Sequence, residues 1–202
     1  MDQNAMFKLT YGLYVLSAKD NQKQNGCIIN SVMQVTSAPN QIIVAVNKNN
    51  FTHDMIVATK AFNVSVLSTN TPFDIFKNFG FQSGKNVNKF ENISHQTATN
   101  GIAYLSKYSV AYLSAKVVSI TDLGTHSLFL AEVTDGEILN SDSPVTYDYY
   151  QKNIKPKPTT KPKKTVWRCK ICGYEYEGEE LPADIICPWC QHPASDFEKV
   201  EA

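Results

Sequence analysis

The stretch Val110-Ala111-Tyr112-Leu113-Ser114-Ala115-Lys116-Val117-Val118 decides the fold class. Ala111, Leu113, Ala115 and Val117 fall on one face of an extended chain, and Tyr112, Ser114 and Lys116 fall on the other. That period of two is what a half-buried β-strand requires. Working outward, residues 127–133 and a short segment near 137–139 follow as strands, and residues 12–18, 41–46 and 62–67 precede it. Residues 41–46 are nearly continuously apolar, which suits a strand covered on both faces. Residues 20–25, leading into Gly26, form a polar turn. One short helix is capped by Thr52 and runs to about residue 60, and a second covers 72–79. Six or seven strands with two short helices predict a mainly β fold, a closed or split Greek-key barrel rather than a βαβ unit. No G-x-G-x-x-G follows a strand and there is no P-loop, so a Rossmann-type cofactor site is excluded.

The chain has 202 residues, 43% hydrophobic and 19% charged, which excludes a disordered or fibrous protein. A body of about 150 residues buries roughly 70% of its unfolded surface, enough for a proper core. The apolar runs are far shorter than the roughly 18 residues of a membrane span. Met1-Asp2-Gln3-Asn4 carries no basic, signal-like region, so a cytoplasmic protein with no membrane contact is expected. Charge balances overall but is segregated. Residues 1–151 hold 10 Lys against 11 acidic residues, 152–164 hold six Lys and no acid, and 165–202 hold three basic against eight acidic residues. The pattern predicts a body at 1–152, a Lys/Pro-rich linker at 153–164 and a small acidic domain at 165–202. The basic run sits in the Pro-rich strap and not on a patterned face, so nucleic acid is not an expected partner.

Cys169, Cys172, Cys187 and Cys190 form C-x2-C-x14-C-x2-C, and Cys27 stands apart as a small core residue on a strand. Two C-x2-C knuckles facing each other present four thiolates tetrahedrally to one metal. Without a secretion signal, metal is the better reading than disulfides. Spacing alone leaves iron and zinc both open. A site closed by four thiolates has no position for substrate, so iron there passes electrons and zinc there staples a fold of about 38 residues.

The residues around the knuckles go further. Trp167-Arg168-Cys169-Lys170-Ile171-Cys172-Gly173-Tyr174-Glu175-Tyr176 and Cys187-Pro188-Trp189-Cys190 resemble the two rubredoxin knuckles, and the tail from Gln191 to Glu198 resembles the short rubredoxin domain that ends rubrerythrins. Gln191 stands where free-standing rubredoxins carry glycine. The resemblance implies one iron, with zinc as the alternative, and because four cysteines already saturate the metal, His192 is expected at the surface.

In the body, Gly26 to Thr36 followed by Pro39, Asn47-Lys48-Asn49-Asn50-Phe51-Thr52-His53, Phe81-Gln82-Ser83-Gly84-Lys85 with Lys89-Phe90, Gly124-Thr125-His126-Ser127-Leu128-Phe129 and Pro144 to Tyr150 resemble, in family order, segments of the flavin-reductase-like, FMN-binding split-barrel family. The resemblance implies FMN, with Asn30, Ser31, Val32, Gln34 and Thr36 in its first binding segment. Asn47, Asn50, Thr52 and His53 belong to the second, and Lys85 to the loop. Thr36, Asn50, Thr52 and Lys85 suit a phosphate, which needs hydroxyls, backbone N–H groups and a cation. Backbone around Asn30–Val32 suits the flavin ring edge. His126 is the candidate catalytic residue, facing nicotinamide or flavin.

A barrel followed by a rubredoxin domain resembles the high-molecular-weight rubredoxins of anaerobic bacteria. That family implies electron flow from NAD(P)H through FMN and an Fe(Cys)4 centre to a flavodiiron protein that reduces oxygen or nitric oxide, in a homodimer. The alternative is a flavin reductase that releases reduced flavin and carries a structural zinc ribbon as its tail.

Overall fold

In the computed structural model, residues 2–20, 23–156 and 166–200 are described. The chain forms two compact units, Met1–Pro156 and Lys157–Ala202. The first is built on strands β1 (Tyr14–Lys19), β2 (Gln24–Ile29), β3 (Val32–Ser37), β4 (Asn40–Asn47) and β5 (Ala61–Leu67), followed by the short pair β6 (Gln96–Thr97) and β7 (Ala103–Tyr104) and the long pair β8 (Ser109–Asp122) and β9 (His126–Ile138). Helices α1 (Phe51–Thr59) and α2 (Phe73–Gly80) flank β5, and α3 (Tyr147–Tyr149) runs into a π-helical turn at Tyr150–Ile154.

Seven strands share one sheet in the order β2-β1-β5-β8-β9-β4-β3, and every pairing is antiparallel. Its two edges, β2 and β3, are consecutive in sequence and joined only by Asn30 and Ser31. Three Cα steps reach no more than about 11 Å. The first and last strands can be that close only if the sheet curls on itself, so it is a barrel left open along the β2/β3 seam. The Ser31 hydroxyl pins the connection, donating to Ala45 O at 2.9 Å and accepting from Ala45 N at 3.2 Å.

Both faces of β1 are covered. Leu16 and Ala18 join Val44, Val46, Phe62, Val64 and Phe129 inside the barrel, closed at one end by Met55 and Ile56 of α1. Val15 joins Phe76 and Phe79 of α2, Leu105, Val145 and Tyr150 in a second core.

The structure corrects several sequence expectations. The strand expected to be half-buried at 110–118 buries Tyr112 and Ser114 as well as Ala115, because the β6–β7 hairpin covers the Tyr112/Ser114 face. Tyr104 stacks on Tyr112 with ring centroids 3.9 Å apart and planes 16° apart, and the Tyr112 hydroxyl donates to Asp135 at 3.3 Å. The segments 127–133 and 137–139 are one strand, β9. Its Gly136 lies so close to β8 that a Cβ would come within 2.9 Å of Tyr112 O and Leu113 Cδ2.

Gln24 and Asn25 belong to β2 rather than to a turn. Their side chains find partners in neighbouring elements, Gln24 Oε1 accepting from Ala103 N at 2.5 Å. Helix α1 is capped at Asn50, two residues before Thr52. Asn153 and Ile154 belong to the body: Asn153 Nδ2 donates to Tyr149 O at 3.1 Å and Ile154 packs on the second core. Residues 157–164 of the expected linker lie outside the described residues.

In the second unit, β10 (Val166–Cys169) lies between β11 (Glu175–Glu177) and β12 (Phe197–Val200). A small core of Cys169, Cys187 and Phe197, with Trp167, Tyr174, Tyr176 and Leu181 around it, backs the knuckles. No helix among the described residues is long and apolar enough to cross a membrane.

Candidate flavin cavity and metal centre

The two knuckles have one architecture. In the first, Gly173 N donates to Cys169 O at 2.9 Å, and in the second, Gln191 N donates to Cys187 O, also at 2.9 Å. Each closing residue lies in the left-handed region, Gly173 at φ +77° and Gln191 at φ +61°. The glycine adopts this freely, whereas the glutamine does so at a steric cost.

The four sulfurs all lie within 4.8 Å of one another. The Cys169–Cys190 pair is 3.6 Å apart and the Cys172–Cys187 pair 3.4 Å. A tetrahedral metal with bonds of about 2.3 Å has sulfur–sulfur edges of about 3.8 Å, so the set fits a metal ion with little adjustment. Backbone N–H groups of Tyr174, Trp189, Cys190 and His192 point at sulfurs of the set, which stabilises thiolate charge. His192 stays outside it, with Nδ1 2.9 Å from Cys190 O.

In the barrel, a cavity of about 280 Å³ opens between the N-terminus of α1 and the loop after α2, with Asn25, Cys27, Asn50, Thr52, Ser83 and Lys89 in its wall. Asn25 Nδ2 donates to Thr52 Oγ1 at 3.0 Å, while Asn25 Oδ1 is buried without a partner among the described residues. Gly84 presses on this amide: a Cβ there would lie 2.0 Å from Asn25 Oδ1. The Cys27 thiol is pushed up to about 11 by burial, against the opposing pull of Thr52 and Lys89, so it is an inert wall group.

Lys89 is 4% exposed, and its ammonium donates to Gly26 O and Phe79 O, each at 3.0 Å. Among the described residues no carboxylate pairs with it, and burial lowers its pKa. An ammonium buried without an anion is costly, and one with a third N–H beside a helix N-terminus is half of an anion site. A flavin phosphate suits that donor set.

The sequence-derived residues fall into groups. Asn50 and Thr52 line the cavity. His53 is buried behind them, its Nε2 2.9 Å from Ser127 Oγ and its ring edge-on to Phe129. Asn47 and His126 are cross-strand partners on β4 and β9, His126 half-buried with Nδ1 2.9 Å from Thr125 Oγ1. Asn30, Ser31 and Val32 sit at the barrel seam.

Gln34 and Thr36 are exposed on β3 and bond within their own hairpin, Thr36 Oγ1 donating to Pro39 O and Gln34 Nε2 to Thr36 O at 3.3 Å. Lys85 is exposed in a neighbouring cleft. Sequence reasoning missed Asn25 and Lys89 as wall residues. Only the buried Phe90 beside Lys89 hinted that this lysine turns inward.

Comparison with known proteins matches both units to known families. Residues 6–157 match the flavin reductase like domain, and 167–198 match the rubredoxin-like domain of rubrerythrin. A high molecular weight rubredoxin of Moorella thermoacetica is 37% identical, the match covering 99% of this chain and all of that one. A ferric-chelate reductase (NAD(P)H) of Archaeoglobus fulgidus is 40% identical over 74% of this chain and 89% of its own length. The NADH:FAD oxidoreductase of Streptomyces globisporus C-1027 shares the fold, with TM-score 0.66 and 20% identity over 71% of this chain and 85% of that one. The chain therefore belongs to the flavin reductase-like family of flavoprotein oxidoreductases and, within it, to the high molecular weight rubredoxins. Its cofactors are a flavin on the barrel and iron at Cys169, Cys172, Cys187 and Cys190.

Proposed function

We propose that the chain carries reducing equivalents from NAD(P)H to a flavodiiron protein that reduces oxygen or nitric oxide, with FMN taking two electrons as hydride and the four-cysteine iron passing them on singly. The observation that carries this reading is the closed four-sulfur set, which leaves no position for substrate, in the same chain as a cavity built for an anion.

The chain's own residues divide the work. Lys89, Thr52, Asn50 and the first N–H groups of α1 hold the phosphate. Asn30 to Val32 border the flavin ring at the seam, where backbone groups freed from sheet pairing are available to it. His126 and Asn47, cross-strand partners on β9 and β4, serve the nicotinamide. Cys169 and Cys187 are buried, while Cys172 and Cys190 are half-buried and give the centre its outlet.

A homodimer is supported by the apolar residues left exposed on β3 and on the outer part of the β8–β9 hairpin, among them Met33 at 57%, Val118 at 55% and Leu123 at 53%. A cytoplasmic setting agrees with four cysteines gathered for a metal rather than paired in disulfides.

Rapid anaerobic mixing with NADH, followed at the ferric-thiolate band, tests the reading. Bleaching that follows flavin reduction and is lost in Cys172→Ser supports it. Flavin reduction with an iron band that never bleaches would overturn it. The similarity to a ferric-chelate reductase favours a second activity of the barrel alone, which Cys172→Ser would retain.

A further inference from the structure

The larger cavity of the barrel unit is not the one that suits the flavin phosphate. A cleft of about 540 Å³ lies against it, and Gly84 stands in the wall of both. Lys19 at the end of β1, Lys23 just before β2, Lys85 and His95 line this cleft, and Glu91 is the one carboxylate among its described lining residues. All four basic side chains are exposed, and a concave surface with this excess of positive charge concentrates anions.

The cleft also has features of a built pocket. The His95 ring stands edge-on to the buried Phe90 at 5.2 Å, with Nδ1 2.8 Å from Ile93 O, which holds the ring in place and leaves Nε2 for another partner. Lys23 Nζ lies 6.0 Å from the centroid of Phe51, a residue that also lines the inner cavity. The lysine therefore stands on the boundary between the two spaces. A nucleoside phosphate is a ligand of the right size for such a volume, since pockets for small ligands begin at about 300 Å³. It carries the charge the lysines call for and a flat base for the Phe90/His95 wall.

We propose that the Lys19/Lys23/Lys85/His95 cleft binds the adenosine-phosphate half of a dinucleotide, next to the flavin phosphate. The proposal rests on placing that phosphate at Lys89 and Thr52. Two dinucleotides carry this half, the pyridine nucleotide that delivers hydride and FAD in place of FMN. Lys19 and Lys23 bind the pyrophosphate or the ribose phosphate, and Lys85 reaches the same group from the opposite loop. Gly84 keeps the partition between the two spaces thin.

Calorimetric titration of the FMN-loaded protein with ADP and with 2′,5′-ADP tests this, in wild type and in the double variant Lys19→Gln/Lys23→Gln. Both substitutions are at exposed positions, and the melting temperature of the variant checks its folding. ADP should bind the wild type and compete with NAD(P)H. The double variant should bind it at least about tenfold more weakly, as expected for lost charge-assisted contacts. It should raise KM for NAD(P)H with kcat kept and make binding less dependent on salt, while retaining FMN. A preference for 2′,5′-ADP places a phosphate on the ribose.

If ADP binds only the flavin-free protein, and FAD outcompetes FMN there in wild type but not in the variant, the half bound is that of FAD. ADP affinity unchanged by the double substitution overturns the proposal. So does the absence of both ADP binding and any preference for FAD. Failure of the underlying placement is seen separately, as FMN affinity that is indifferent to Lys89→Met.

Discussion

Replacing Lys89 by methionine tests the anion cavity most directly. Methionine keeps an unbranched stem of similar length and removes only the ammonium. In the flavin-free protein two opposing changes follow. Gly26 O and Phe79 O lose a partner 3.0 Å away, at about 1–3 kcal/mol for each buried acceptor left unpaired. The desolvation of a buried ion, several kcal/mol, is relieved at the same time. The two changes offset each other, so stability should move by less than the roughly 2–6 kcal/mol that two unpaired acceptors alone would cost.

Ligand binding has no such cancellation. With the phosphate placed as proposed, the third ammonium N–H is its charge-assisted contact, worth about 1.5–3 kcal/mol. At 1.4 kcal/mol per tenfold, FMN should bind about 10- to 150-fold more weakly. The assay is fluorescence titration of the flavin-free protein with FMN and, in parallel, with riboflavin, which has the same ring and no phosphate. Riboflavin affinity should barely change. An FMN affinity within twofold of wild type, or equal losses for FMN and riboflavin, would refute the assignment of Lys89 to the phosphate.

The same lysine predicts a pH effect. Its pKa is lowered in the flavin-free fold, so between that value and the unfolded one, near 10.4, the unfolded chain binds more protons and this lysine makes stability rise with pH. Urea melts across alkaline pH should show this slope as the difference between wild type and Lys89→Met. Cys27, whose raised pKa Lys89 partly holds down, contributes the opposite slope, so the comparison is made in a Cys27→Ala background, where bound FMN should abolish the difference. Cys172→Ser should lose iron and unfold the second unit while flavin content stays at wild-type level, measured by visible absorbance with metal analysis on one sample; an equal loss of flavin would mean the two units fold together. Gln191→Gly should raise the melting midpoint of the iron-loaded tail by about 1 kcal/mol equivalent, because it removes a side chain from a φ of +61°, and no gain in thermal melts would show the turn to be unstrained.

The sequence by itself determined the class of each part. Period-two alternation needs no partner to be read, and it specified a β-strand at 110–118 because strand side chains alternate whatever they pack against, while the short apolar runs at 41–46 and 62–67 specified covered strands. The C-x2-C pairs specified a four-thiolate site, because the spacing within a knuckle fixes two sulfurs locally. The helix that starts near Asn50 and Thr52 was legible because a helix start is a local property, and the structure places both residues in the cavity wall.

Other decisions were made only by the tertiary structure. The alternation in β8 puts Tyr112 and Ser114 on one face and Leu113 and Ala115 on the other, but no local pattern announces that a hairpin from residues 96–104 lies over the first of these. That the chain between β2 and β3 crosses the seam of an open barrel follows from which strands pair, not from Asn30 or Ser31. Lys85 and Lys89 are four residues apart in one loop and look alike in sequence. Only the packing of Phe90 against Phe79 turns Lys89 inward to Gly26 and Phe79, while Lys85 stays in the outer cleft. A lysine's burial depends on what the rest of the chain places around it, and that is a property of the fold alone.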